Sequence, residues 1–163
     1  MVTKNVAKGR KKENYLVCVN SEHYSEVALH FTCFLAKKDH GSILLLHVIE
    51  PADYQSLGMV ADKMRKEKHE ESQALLSELA KKAQEWSGVM PTVMVREGLI
   101  EDEIIAVVEA DPSIKMLIAG VASESSKKSK IIPPLVSAIS TKLLIPMLIV
   151  PGALTNQEME DVT

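Results

Sequence analysis

Short apolar runs rich in Val, Ile and Leu alternate along this chain with longer segments in which apolar residues recur every third or fourth position. The run Tyr15-Leu16-Val17-Cys18-Val19 predicts a buried strand, and Val27, Ala28, Phe31 and Leu35 behind it mark one face of a helix. Ile43-Leu44-Leu45-Leu46-His47-Val48 is apolar at nearly every position, the signature of a strand covered on both faces, and Pro51 marks its end. From about Val60 to Trp86 a long helix is predicted, charged in its first half and striped with Leu76, Leu79, Ala83 and Trp86 in its second. Gly88 stops it.

Pro91 to Arg96 reads as a third strand, mixed enough in polarity to be an edge, and Gly98 ends it. Glu101, Asp102 and Glu103 then suit the first turn of a helix, where carboxylates favour the dipole, with Ile104, Ile105 and Val108 inward and Asp111-Pro112 as its close. Ile114 to Gly120 is a fourth strand. A polar stretch from Val121 to Lys130 leads to a last helix with Leu135, Val136, Ile139 and Leu143 inward, and Pro146-Met147-Leu148-Ile149-Val150 is a fifth strand. Five strands alternating with four helices predict a doubly wound α/β fold, a three-layer sandwich around a mostly parallel five-stranded sheet. Ligands of such folds sit beyond the strand C-termini, which directs attention to the loops after Val19, Val48 and Gly120.

Composition narrows the function classes. The 163 residues fit one domain, and six aromatic side chains are too few for a site that stacks bases. The net charge of −3 hides a basic leader, residues 1–13 with Lys4, Lys8, Arg10, Lys11 and Lys12, and an acidic tail, residues 152–163 with Glu158, Glu160 and Asp161. The domain between them, residues 14–151, is mildly acidic and gives no electrostatic reason to bind nucleic acid. No apolar run is long enough to cross a membrane, so a cytoplasmic protein without a membrane partner is expected.

Candidate chemistry is sparse. Cys18 and Cys33 have no redox or zinc spacing and read as small core residues, and the five histidines show no metal-binding pattern. Ser21, His23 and Ser25 follow the first strand without a nucleophile-elbow sequence, and Ser25 reads as a helix N-cap or turn residue. No catalytic set is expected. The run from Asp62 to Glu71 mixes charges at helical spacing, as on a salt-bridged exposed face, and its position would suit a lid over the site.

The chain resembles the universal stress protein family from roughly Asn14 to Pro151. The likeness is carried by the first strand and helix start (Tyr15 to Leu29, with Ser25-Glu26-Val27-Ala28-Leu29), by Leu45-Leu46-His47-Val48-Ile49-Glu50-Pro51, by Glu97-Gly98, by Leu117-Ile118-Ala119-Gly120 and by the Pro146 to Val150 strand. The resemblance implies a strand order of 3-2-1-4-5, a homodimer pairing the fifth strands through Met147, Leu148, Ile149 and Val150, and a stress-linked cytoplasmic role. It also implies adenine nucleotide at the sheet's switch point in many members, held by a loop of Gly, two residues, Gly, nine residues, Gly, then Ser or Thr.

Laid on this sequence, that loop finds Gly120, then Ser123, Pro133 and Pro134. Glycines would let the backbone approach phosphates, and free N–H groups at a helix start would meet their charge. Proline offers no N–H. The family's strand-one Asp is replaced by Asn20, which carries no charge. Two readings follow: a non-enzymatic regulatory module with a protein partner and no cofactor, or a sensor that still binds ATP or AMP with Mg, or another small anion. The second would use Asn20, Ser21, Val48, Gly120, Ser123 and the Ser/Lys loop, in which Lys127 and Lys130 could act as point charges beside Ser125, Ser126 and Lys128.

Overall fold

A computed structural model describes residues 13–51, 55–123, 132–139 and 141–163. Strands β1 (Asn14–Cys18), β2 (Ser42–Ile49), β3 (Thr92–Glu97), β4 (Ile114–Val121) and β5 (Met147–Pro151) form one sheet in the order β3-β2-β1-β4-β5. Every adjacent pair is parallel. The helices are α1 (His23–Asp39), α2 (Ala61–Ser87), α3 (Ile100–Ala110), α4 (Ile132–Ile139) and α5 (Asn156–Val162). Parallel pairing requires long crossovers, and here each crossover from one strand to the next carries a helix.

Strand alternation sorts the core into two layers. Tyr15, Val17 and Val19 join Ile43, Leu45 and Ile118 under α1 and α2, while Leu16 and Cys18 join Leu44, Leu46 and Leu117 under α3 and α4. This explains the continuous apolar runs of β1 and β2: both faces are covered. Gly88 closes α2 in the left-handed conformation and returns its N–H to the Gln84 carbonyl, the stop expected from the sequence. His40 does the same for α1 at φ 59°, a conformation that a side chain makes less favourable.

Three local assignments change. Val136, expected to face the core, is 55% exposed, whereas Leu135 on the same helix and Leu143 beyond it are buried. A helix whose sequence reads Ile-Pro-Pro-Leu-Val-Ser-Ala-Ile is apolar all round, so pattern alone cannot choose its inner face. Val107 takes the fully buried position on α3, with Val108 partly buried beside it. Ser25 is not the N-cap of α1; Glu22 holds that position, and Ser25 is buried one turn in.

At the edge, the Val150 side chain is buried in the α1 layer, and Met147 and Leu148 pack partly against the two core layers. Ile149, 43% exposed, and the nearby Leu144, 99% exposed, are what the edge presents. Beyond β5, the segment read from its charge as an acidic tail carries α5. Thr155 and Glu158 form a reciprocal capping box at its start, and Met159 is buried in the α1 layer. The basic leader up to Lys12 lies outside the described residues.

Candidate ligand-binding cleft

A cleft of about 510 Å³ opens beyond the C-terminal ends of β1 and β2. Its floor is apolar: Cys18, Val19, Leu46, Val48 and Ile49 from the strands, with Ile100 and Ile104 from α3. Such a size and lining suit a small organic molecule. One wall is α2, which contributes Lys68, Glu71, Ser72 and Leu75. Glu97, at the end of β3, holds that wall in place: its Oε2 accepts from Arg65 Nε and lies against His69 Nε2, each at 3.0 Å.

Asn20 stands at the mouth, and its side chain is largely spent on its own chain. Oδ1 accepts from the Glu22 N–H at 2.9 Å and from Ser25 Oγ at 2.7 Å, and Nδ2 donates to Tyr24 Oη at 2.9 Å. Ser25 Oγ in turn accepts the Asn20 N–H at 3.0 Å. The result is a knot that fixes the start of α1, with one amide hydrogen of Asn20 left over. On the next strand His47 Nδ1 lies 2.8 Å from the Val19 carbonyl. A carbonyl only accepts, so Nδ1 carries the proton, and neutral His47 keeps Nε2 as an acceptor.

Asn20, Ser21 and Val48 therefore gather where the sequence placed them. Gly120 does not join them: it is buried, and it is absent from the lining found among the described residues. A Cβ on Gly120 would stand 2.1 Å from the Tyr24 carbonyl oxygen, and one on Gly152 would stand 2.7 Å from Tyr24 Cβ. These glycines make room for the first turn of α1, which packs over the end of β4 and the turn after β5. The described lining of the cleft comes from β1, β2, α2, α3 and the turns beside them. Ser123 is exposed and also absent from that lining, while Lys127 and Lys130 lie outside the described residues.

Pro133 and Pro134 both fall at the start of α4, where they remove two of the N–H groups that a helix start would present. Glu22, Glu50 and Ser72 are site residues that the sequence did not single out, while Lys68 and Glu71 belong to the charged run that it placed over the site without naming them as ligand contacts. Those on α2 lay within or next to a charge run that reads equally well as a solvated surface. The thiol of Cys18, sealed beneath the cleft, is pushed up to about 12 by burial and offers no nucleophile. Among the described residues no group of three or more His, Cys, Asp or Glu is placed to hold a metal ion, and no helix is long and apolar enough to cross a membrane.

The sequence pattern of the universal stress protein family matches residues 13–151. The chain belongs to the universal stress protein family. Solved members share its fold at low identity. The universal stress protein UspA from Lactobacillus plantarum superimposes with a TM-score of 0.71 at 14% identity, covering 86% of this chain and 98% of its own. A family member from Burkholderia pseudomallei gives 0.67 at 14% identity, with 88% and 98% covered. A universal stress protein described in complex with cAMP gives 0.61 at 13% identity, with 86% and 98% covered. No curated protein matches the sequence. The loop that the resemblance implies expects glycines where this chain has Ser123 and Pro133.

Proposed function

We propose that this universal stress protein is a non-enzymatic regulatory module of the cytoplasm that acts as a homodimer through β5 and does not hold Mg-ATP in a backbone cradle. The observation that carries this reading is the pair Pro133 and Pro134 at the start of α4, where phosphate would need N–H donors. The Tyr24 backbone packed against Gly120 supports it, because the one retained glycine is used for packing. Among the described residues of the cleft, Ser72 Oγ donates to the Lys68 carbonyl and His47 Nδ1 lies on the Val19 carbonyl, so neither is engaged as half of a nucleophile–base pair.

The dimer reading is supported by an edge strand that leaves Ile149 and Leu144 exposed, a hazard unless something covers it. Light scattering should give twice the chain mass at micromolar concentration. The variant Ile149→Lys with Leu144→Lys should give the single-chain mass with an unchanged circular-dichroism spectrum. Calorimetry with Mg-ATP on protein emptied by denaturation and refolding is expected to show no heat of binding. Tight Mg-ATP binding would instead favour the second reading, an adenine-nucleotide or small-anion sensor. That reading is supported by the open cleft, and by a relative described in complex with cAMP.

A further inference from the structure

Which ligand the cleft would take is a question of its charge and of the hydrogen-bonding groups it leaves free. Three carboxylates line it, Glu22 from the turn into α1, Glu50 from the end of β2 and Glu71 from α2. One ammonium group, Lys68, stands among them, and its Nζ lies 3.8 Å from Glu71 Oε2. In its neutral form His47 contributes an acceptor at Nε2, since its other nitrogen donates to the Val19 carbonyl. Of the Asn20 amide, the natural donor at the mouth, the oxygen is committed to the turn and one N–H to Tyr24, which leaves a single N–H for a ligand. Among the described residues, what remains available to a ligand is therefore mostly acceptor groups and negative charge, set above an apolar floor of Val19, Leu46 and Ile104 with Leu75 on the α2 wall.

We propose that this cleft takes a small organic cation, an apolar body carrying a protonated amine, and rejects phosphorylated ligands. The proposal rests on the preceding reading that the phosphate cradle is gone, and it adds the class of ligand that replaces nucleotide. The site is the cavity itself, with room for a bicyclic ring on its floor; the carboxylates decide the sign of what enters. An ammonium group has donors for the Glu22 and Glu50 carboxylates, which have no ion-pair partner among the described residues, and for His47 Nε2. Among the described residues the lining carries three carboxylates against one ammonium group, so a phosphate would add negative charge where negative charge already prevails, in a concave site whose low-dielectric walls focus the field.

The test uses two probes of nearly one shape and opposite charge, tryptamine and indole-3-acetate. Each is titrated into the full-length protein at low salt while the amide resonances of residues 19–22, 47–50 and 72 are followed, with Mg-ATP titrated in parallel. Tryptamine should bind at least about tenfold more tightly than indole-3-acetate and move those resonances. The triple variant Glu22→Gln, Glu50→Gln, Glu71→Gln should lose about tenfold in tryptamine affinity, keep its fold and narrow the gap between the probes. Equal or tighter binding of indole-3-acetate overturns the proposal, as does a triple variant with unchanged affinity. Absence of both indole probes together with absence of Mg-ATP overturns this proposal alone. Tight Mg-ATP binding overturns the reading beneath it as well.

Discussion

Gly120→Ala is expected to lower the unfolding free energy by about 3 kcal/mol, at the upper end of the usual cost of overpacking. The new methyl group would meet the Tyr24 carbonyl oxygen at 2.1 Å and its carbon at 2.6 Å. Those are backbone atoms, so no rotamer change relieves the clash and the start of α1 must move. That movement pulls on the Asn20, Tyr24 and Ser25 bonds and on the packing of α1 over β4 and β5. In a domain of this size such a loss lowers the melting temperature by roughly 6–12 °C. Gly88→Ala is the control: its site is open and the residue sits at φ 79°, so only the backbone preference is lost, about 1 kcal/mol. Urea unfolding of the two variants decides the matter, and equal losses would mean that Gly120 is not a packing residue.

Met159→Ala should cost a similar amount, about 3 kcal/mol, within the range for a truncated buried methionine. Met159 is 1% exposed and packs into the layer that includes Val17, Leu29 and Val150. It is also the one buried residue of α5, so its side chain carries the docking of that helix. Thr155→Ala removes one half of the capping box and should cost about 1 kcal/mol. A Met159→Ala protein that unfolds at the wild-type urea concentration would show that α5 is an ornament on a core complete without it.

These two residues also mark where sequence reasoning reached and where it stopped. Strands β1, β2 and β4 and helices α1 to α3 were legible because each buries several side chains, Leu16 to Cys18 on one strand and Leu76, Leu79 and Ala83 on one helix, whereas β3 and β5 were legible from short apolar runs that open at Pro91 and Pro146. The helix α5 buries one side chain among Asn, Gln and carboxylates, so no stripe exists to be read. Its signal was Thr155-Asn156-Gln157-Glu158, a threonine followed three residues later by a glutamate. Asn20 and Val48 were legible as site residues because they follow buried strands. Gly120 was legible as a glycine at a strand end, but a close approach to phosphate and a close approach to another segment of the same chain require the same absent side chain. Glu71 and Lys68 were hidden for another reason: a salt-bridged charge looks the same in sequence whether it faces bulk water or a cleft.

The two cysteines give the protein a pair of built-in clocks. Cys18 lies under the cleft floor and Cys33 lies between α1 and α2, near the Ala83 carbonyl, and burial pushes both thiols up to about 12. At neutral pH neither is a thiolate in the closed molecule, so alkylation proceeds at the frequency with which each region opens. The two rates time different events, breathing of the sheet beneath the cleft and parting of the helix pair above the opposite face. A molecule bound in the cleft slows the first clock selectively, whereas a stabiliser of the whole domain slows both.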